Sequence, residues 1–309
     1  MPLLAINHHY YRTAGTGMGI YPTTPDQLRQ KIECIRKAGW KIGKQADVLT
    51  CVSGGECAEQ IVVITFDDGL KEQITAIKDL QAMGVAAICY VPCGPLMEKR
   101  VLDVHKLQMI RSVTNDEALV AVLDKDFGFS AHEFDEHLLE IQYRYDNPLS
   151  RRVKYFLNFS LSSEQRDGWI SRQFENEFGD ESAAAEVLYM GKDDLRFLAQ
   201  NGSLGSHGYS HRPLARLSND ELKDELYRSH EVLTNLTGVS SMGVSYPYGG
   251  KSAVCEDVFT VAREAGYSYG FTMERGVNAE FQNALSLKRI DTNDMNDWLN
   301  NGARSLVSG

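Results

Sequence analysis

The stretch Ile61-Val62-Val63-Ile64-Thr65-Phe66-Asp67-Asp68-Gly69 is the most informative part of this chain. Its first six residues are apolar or β-branched, a pattern typical of a short strand that is buried on both faces. Two carboxylates follow at the tip of the strand, directly before a glycine. Because neighbouring carboxylates repel each other, both stay ionised only where a cation or an arginine lies nearby. The same residues also suit a tight turn, so the pair alone does not define a site.

A pair of histidines offers one source of positive charge. The segment Gly205-Ser206-His207-Gly208-Tyr209-Ser210-His211 carries them at a spacing of four, which would put both on one face of a helical turn. Imidazole and carboxylate are usual zinc ligands, and a catalytic zinc keeps three protein ligands. His207, His211 and one aspartate would complete that set, and the other aspartate could take a proton from water. Alone, such a histidine pair is more often a solvated helix face.

Length and composition exclude several classes of protein. The 309 residues fit one large α/β barrel or two ordinary domains, and 43% hydrophobic with 24% charged residues is typical of a globular protein. A formal net charge of −10 argues against a general nucleic-acid or anionic-membrane binder. We see no apolar run of membrane-span length and no secretion signal, and six cysteines are too few for a disulfide framework. We therefore expect a cytoplasmic protein without an integral membrane segment.

Short apolar runs alternate with amphipathic segments along most of the chain. Repeated strand–helix units imply a parallel sheet, and about seven units favour its closure into a barrel. The active site of such a barrel lies at the carboxyl ends of the strands, where both aspartates and His207 fall. Strands are predicted at 61–66, 85–91, 203–206, 242–246, 267–271 and 285–290, after a first strand at the N-terminus, and a last helix at about 298–306.

Residues 95–190 interrupt this alternation. They are charged, carry helical patches at 116–123 and 132–143, and are too long for a simple loop. We expect a single barrel domain over 1–309 with a helical insertion at about 95–190. The insertion could cover the active-site face or decorate the outer wall.

Several motifs resemble those of a known family. Thr65-Phe66-Asp67-Asp68-Gly69 resembles the first motif of the polysaccharide deacetylases, carbohydrate esterase family four. His207-Gly208-Tyr209-Ser210-His211 resembles the second, a His-Ser/Thr-x-x-His pattern, with Gly in place of Ser/Thr. Tyr246-Pro247-Tyr248-Gly249 resembles the third. Arg289-Ile290 and the opening Asn7-His8-His9-Tyr10 are similar to elements at the end and start of some members.

The resemblance implies a distorted (β/α) barrel with about seven parallel strands, and metal-dependent removal of an acyl group from a sugar amide. By the same resemblance, Asp67 is the general base and Asp68, His207 and His211 bind the metal. The backbone N–H of Tyr248 helps to hold the oxyanion. One divalent ion is expected, with zinc first, although iron, cobalt or manganese also suit such ligands.

Two departures from the family pattern matter. Many members carry an arginine just before the Pro-Tyr-Gly turn, where this chain has Ser245 and Tyr246. Arg289 could supply that charge from a neighbouring strand and orient the catalytic aspartate, or it could form an ordinary ion pair at the barrel rim. The usual acid histidine of the final motif has no match. His8, His9 and His105 are candidates to replace it, but each such histidine is more often structural, so the proton donor to the leaving amine is unassigned.

The expected function is N-deacetylation of an amino sugar in surface-polysaccharide biosynthesis, lipopolysaccharide included. The expected partner is a small saccharide or sugar conjugate, either soluble, nucleotide-linked or lipid-linked, and not a nucleic acid. Two alternatives stay open. The same site could remove a formyl group, or the chain could be a sugar-binding protein of this fold without turnover.

Overall fold

The computed structural model describes residues 2–12, 22–54, 59–295 and 298. Every ladder between the strands of the described part is parallel, as the repeated strand–helix units predict. The strands are β1 Leu3–His8, β2 Lys41–Ile42, β3 Ile61–Phe66, β4 Ala87–Val91, β5 Leu204–Ser206, β6 Gly243–Ser245, β7 Tyr269–Phe271 and β8 Ile290–Asp291.

The strands form one sheet in the order β7-β6-β5-β4-β3-β1-β8, and β2 pairs with β3 beside this path. β1 and β3 pair along their whole length, so that His8 lies opposite Phe66 at their carboxyl ends. Residues 287–290 connect the two ends of this strand order. Leu287 bridges to Phe271 in β7, and Ile290 in β8 pairs with Ile6 in β1. This curled parallel sheet confirms the predicted α/β fold with a distorted (β/α) barrel of about seven strands.

The predicted strand at 285–290 is only partly correct. β8 covers Ile290–Asp291, and Leu287 contributes an isolated bridge. Between them, the backbone N–H of Lys288 donates to Asn278 Oδ1 and that of Arg289 donates to the carbonyl of Glu274. The chain there bonds to an adjacent loop, which interrupts the strand. The predicted last helix at 298–306 lies outside the described residues apart from Trp298.

None of the described helices is long and apolar enough to cross a membrane. A π-helical turn, Asp224–Arg228, joins α12 to α13. The helices are α1 Pro25–Lys37, α2 Gln45–Val52, α3 Glu72–Ala82, α4 Gly94–Glu98, α5 Asp103–Val113, α6 Asp116–Phe127, α7 Glu136–Gln142, α8 Pro148–Tyr155, α9 Ser163–Phe178, α10 Glu181–Leu188, α11 Lys192–Gln200, α12 Asn219–Lys223, α13 Ser229–Thr237 and α14 Glu256–Glu264.

Helix α1 shows how the local sequence sets these elements. The Thr24 hydroxyl accepts from the N–H of Gln27 at 3.2 Å, and the Gln27 side chain accepts from the N–H of Thr24 at 2.9 Å. This capping box satisfies two backbone donors at the start of the helix. Leu28, Ile32 and Ile35 then recur at helical spacing and are all buried.

The chain divides into two compact units. The first contains Pro22–Glu98 and the described residues from Glu186 onward, together with β1. The second, in its described part, is Lys99–Ala185 and is helical. Inside the second unit, Arg111 donates to both carboxylate oxygens of Asp116 at 2.7 and 2.9 Å. The organisation as one domain with an insertion at about 95–190, and the position of that insertion, stay predictions.

The inward face of the sheet leads directly to the site. Successive side chains of a strand point to opposite faces, and one buried cluster contains Ala5, Val63, Tyr90 and Phe271. Room for the Tyr90 ring comes from Gly205, where an added Cβ would lie 2.3 Å from that ring. Toward the carboxyl ends of the strands, the same face carries polar residues: Asn7 in β1, Thr65 in β3 and Asp67 directly after β3. The interior is therefore apolar at one end and polar at the other.

The cysteines in the described part of the chain are either free thiols or, in one case, disulfide-bonded. Cys89 and Cys93 are buried free thiols, and Cys34 and Cys255 are exposed free thiols. Cys51 is disulfide-bonded. Disulfides are usual in oxidising compartments and uncommon in a reducing cytoplasm. The predicted cytoplasmic location therefore stays a prediction.

Candidate active site

Asp67 is held by a buried arginine. Its carboxylate is 2% exposed and accepts from Arg289 through two bonds, Nη1 to Oδ1 at 3.0 Å and Nη2 to Oδ2 at 2.6 Å. Burial opposes ionisation of Asp67, but the Arg289 charge outweighs this effect and holds the pKa of the carboxyl below its usual value. Arg289 thus supplies the positive charge that the two adjacent carboxylates require.

Two further side chains fix the position of Asp67. Asn7 Nδ2 and Ser245 Oγ each donate to Asp67 Oδ2 at 3.1 Å. The single proton of the Thr65 hydroxyl lies between two acceptors, the Ile6 carbonyl at 3.0 Å and Asn7 Oδ1 at 3.2 Å, so the Asn7 oxygen faces Thr65 and its nitrogen faces Asp67. Arg289 Nη2 also donates to Ser245 Oγ at 2.7 Å. Near the position where many family members carry arginine, this chain therefore has a serine that links Arg289 to the same aspartate.

Asp68 faces both histidines of the second motif. Its Oδ1 lies 3.4 Å from His207 Nε2 and 3.2 Å from His211 Nε2, and all three residues are buried. Their ligand atoms lie within 4.8 Å of one another. Within the described ranges, no other group of three histidine, cysteine or acidic residues has this geometry. One carboxylate oxygen and two imidazole nitrogens form a donor set that suits a divalent metal ion.

The hydrogen bond of His207 supports this fit. Its Nδ1 lies 2.6 Å from the carbonyl oxygen of Ser245. Since a carbonyl only accepts, Nδ1 carries the proton, and in the neutral ring Nε2 presents its lone pair to the Asp68 side. Burial opposes protonation of His207, but the charges of Asp67 and Asp68 outweigh it and raise the pKa. The electrostatic setting at Nε2 therefore favours a cation.

The two histidines are brought together by a loop. We call His207–His211 the histidine loop. The ring centroids of His207 and His211 lie 4.9 Å apart. Gly208 and His211 have φ angles of 71° and 60°, in the left-handed region that an α-helix excludes. The prediction of a helical turn is therefore wrong, although the prediction that both rings share one site agrees with this geometry.

Tyr248 lies in the turn that follows β6. Its backbone is left-handed with φ 61°, and its half-buried ring packs edge-on against His211 with centroids 5.1 Å apart. The turn therefore brings Tyr248 beside the three candidate metal ligands, Asp68, His207 and His211. The role of its backbone N–H in holding an oxyanion stays a prediction.

The three histidines considered as proton donors lie in different places. His9 is half-buried, and its Nε2 is 3.5 Å from Asn7 Nδ2, the group that bonds to Asp67. His8 is buried, and burial with the nearby Lys31 charge lowers its pKa well below the usual value. His105 is buried on α5 in the second unit. Of the three histidines, His9 is the one that lies beside Asn7, which bonds to Asp67.

Three residues around the site were not predicted as parts of it: Asn7, Ser245 and Glu225. Glu225 is buried and accepts from the N–H groups of Tyr209 and Ser210 at 3.0 and 2.9 Å. Burial raises the pKa of Glu225, despite these hydrogen bonds. One signal was available in the sequence, because Glu225 stands beside Leu226 on the apolar face of the predicted helix.

Comparison with known proteins supports the motif-based resemblance. Residues 167–270 match the family model described as polysaccharide deacetylase, which covers about a third of the chain. The matched range contains His207, His211 and Tyr248, whereas Asp67, Asp68 and Arg289 lie outside it. The resemblance to the polysaccharide deacetylases is thereby confirmed. Among curated proteins, no relative matches this chain.

Solved structures resemble the whole chain in fold. The deacetylase PplD of Streptococcus pyogenes, solved in complex with acetate, is 15% identical with a TM-score of 0.59, covering 94% of this chain and 92% of its own. IcaB from Ammonifex degensii is 13% identical with a TM-score of 0.58, covering 97% and 98%. A de-N-acetylase from Aggregatibacter actinomycetemcomitans is 13% identical with a TM-score of 0.54, covering 94% of each chain. At these identities the likeness establishes the fold.

The ion pair predicts a large effect of replacing Arg289. In Arg289→Met, Asp67 would remain a buried carboxylate without its counter-charge, which we expect to lower the free energy of unfolding by about 3–5 kcal/mol. Urea unfolding measures this loss. Adding Asp67→Asn to the same chain should recover much of it, because the uncompensated charge is then gone.

The control is Arg29→Met, which removes the partner of Asp26 in an ion pair whose two side chains are both exposed. Its loss should be at most about 1 kcal/mol. An equally small loss in Arg289→Met would contradict the role assigned to the buried pair.

Proposed function

We propose that this chain is a metal-dependent hydrolase that removes the acetyl group from an N-acetylated amino sugar. The observation that carries the proposal is the juxtaposition of two groups at one end of the barrel interior. An ionised base, Asp67, stands directly beside Asp68, whose carboxylate faces His207 and His211. A base next to a metal-type donor set is the arrangement that hydrolysis of an unreactive amide requires.

Asp68, His207 and His211 would hold one divalent ion, with zinc as the expected ion. When bound, the ion would polarise the amide carbonyl and make water more acidic. The Ser245 carbonyl orients the His207 ring for this task through Nδ1. Such an outer hydrogen bond fixes both the tautomer and the direction of the ring.

Asp67 would act as the general base. Its Oδ2 lies 4.0 Å from His207 Nε2, so the carboxylate is adjacent to the candidate metal ligands. Arg289, Asn7 and Ser245 keep it ionised and in one orientation. Asp67 is thus ready to accept a proton from the attacking water without first reorganising.

The remaining steps need a proton donor and a place for negative charge. Water oxygen bonds to the acetyl carbon, the C–N bond breaks, the amine gains a proton and acetate leaves. His9 would give that proton to the amine, since it is half-buried beside the Asn7–Asp67 pair. The backbone N–H of Tyr248 would donate to the oxyanion that forms on the acetyl carbonyl.

The names of structural neighbours support the choice of acyl group. One neighbour is a deacetylase solved with acetate and another is a de-N-acetylase. We propose a small saccharide or sugar conjugate as substrate, soluble, nucleotide-linked or lipid-linked, used in surface-polysaccharide biosynthesis in the cytoplasm. The net charge of −10 favours such a substrate over a nucleic acid.

A panel of N-acetylated sugars, free, nucleotide-linked and lipid-linked, tests the proposal through acetate release. We expect release from at least one class in the zinc-loaded parent. Asp67→Asn should lower turnover by about 10²–10⁴-fold, as loss of a general base does, while zinc content stays unchanged. Thermal melting checks that the variant folds, because Asn leaves Arg289 without its carboxylate.

Asp193→Asn serves as control, since Asp193 is almost fully exposed. Full activity in Asp67→Asn would overturn its role as base. Formate release from formylated sugars, with none from acetylated ones, would replace the proposal with a deformylase. Sugar binding without any release would favour the binding protein.

The role of His9 makes a separate prediction that depends on the leaving group. In His9→Gln, turnover of the sugar amide should fall by about 10²–10⁴-fold, because the departing amine must be protonated. Hydrolysis of an aryl acetate ester should fall much less, since a phenolate leaves without a proton. The two rates are compared by acetate release and by phenolate absorbance.

Asp67→Asn is the matched comparison, because loss of the base should impair both substrates. If His9→Gln impairs amide and ester to the same degree, His9 is not the proton donor.

A further inference from the structure

The histidine loop is bound by a carboxylate that has no place in the proposed chemistry. Glu225 is 4% exposed and lies in the π-helical turn between α12 and α13. Its Oε2 accepts from the N–H groups of Tyr209 and Ser210, and its Oε1 accepts a short hydrogen bond from the Ser210 hydroxyl. All three donors belong to the residues that separate His207 from His211.

A buried carboxylate is costly, and its surroundings make its presence here informative. Leu222, Leu226 and Leu233 on the same helical face are buried and apolar. An apolar residue at position 225 would continue that stripe without desolvating a charge. The gain that offsets the cost comes from the loop, because two backbone N–H groups that point inward would otherwise lack an acceptor.

The same π-helical turn holds the loop at a second point. Arg228 stacks on the Tyr209 ring, with its guanidinium carbon 3.8 Å from the ring centroid. The Tyr209 hydroxyl donates to Glu98 at 2.8 Å, and Arg228 lies 3.6 Å from that carboxylate. Extra residues in π-helical turns frequently occur at functional sites, where they redirect side chains. Here the turn directs both Glu225 and Arg228 to the histidine loop.

The loop carbonyls are fixed as well. The N–H groups of Cys93 and Gly94 donate to the carbonyls of Gly208 and Tyr209 at 3.3 and 2.7 Å. With Glu225 on the N–H side, the backbone between the two histidines is bonded on both sides. The left-handed φ of His211 is an unfavourable conformation for a residue with a side chain, and it persists only where the surroundings enforce it.

We propose that Glu225 is a positioning residue for the metal site. By holding the backbone of Tyr209 and Ser210, it sets the separation and direction of His207 and His211 before a metal binds. The role deepens the proposed function and rests on its metal site, but it does not depend on which sugar is the substrate.

Zinc affinity, measured by competition with a chromophoric chelator, tests the proposal. Glu225→Met keeps the volume and the apolar stripe but removes the acceptor, and it should weaken zinc binding about 10–100-fold, as loss of a supporting hydrogen bond does. Glu225→Gln keeps one acceptor oxygen for the two N–H groups and should lose much less. Glu231→Gln, at an exposed glutamate of α13, should bind zinc as the parent does.

Cobalt loading provides a readout that a general loss of stability would not change. The visible absorption of bound cobalt reports its ligand geometry, so Glu225→Met should alter the spectrum and Glu225→Gln should restore it. Unchanged zinc affinity and an unchanged cobalt spectrum in Glu225→Met would overturn the proposal. Failure to find a deacetylated sugar would leave these results intact and count against the proposed function alone.

Hydrogen exchange in the parent provides a test that needs no variant. If Glu225 positions the loop in advance, the Tyr209 and Ser210 amides should exchange slowly in the metal-free protein. Exchange at the rate of unprotected peptide, with protection only after zinc is added, would show that the metal orders the loop and would contradict the proposal.

Discussion

The ion pair between Asp67 and Arg289 is the interaction on which the site depends. Two adjacent aspartates at a buried strand end cannot both be ionised without compensation. Arg289 compensates Asp67 through two hydrogen bonds, and the histidines face Asp68. The two like charges are thereby given different surroundings. One carboxylate is fixed as a base, and the other faces a group of metal-type ligands.

The fold places these residues together through its sheet order. Asp67 follows β3, Asn7 lies in β1 and Arg289 precedes β8, and these three strands are neighbours. On the other side of β3, the sheet continues through β4 to β5, and His207 follows β5. Ser245 at the end of β6 connects the two halves, because its hydroxyl bonds to Asp67 and its carbonyl accepts from His207. The site thus spans most of the sheet, so it cannot form before the sheet does.

The sequence predicts the parts of the site that rest on local pattern or on charge. The strand before Asp67 is evident from its β-branched residues. The need for compensation indicates the histidine pair and makes Arg289 a candidate, with an ordinary ion pair at the barrel rim as the alternative. The loop conformation was not predictable, because left-handed backbone at His211 depends on bonds from Glu225, Cys93 and Gly94, which are distant in sequence. Asn7 and Ser245 are common residue types whose contribution arises only when β1, β3 and β6 meet. The break in the strand before Ile290 has the same origin, since Glu274 and Asn278 take its hydrogen bonds.

The central claim is that Asp68, His207 and His211 bind one divalent metal ion, and the zinc content of purified variants tests it most directly. After loading and dialysis, the parent should retain stoichiometric zinc. Asp68→Ala and the double variant His207→Ala/His211→Ala should retain little, and a control double variant, His137→Ala/His230→Ala, should retain as much as the parent. Parent-level zinc in the His207→Ala/His211→Ala protein would contradict the account.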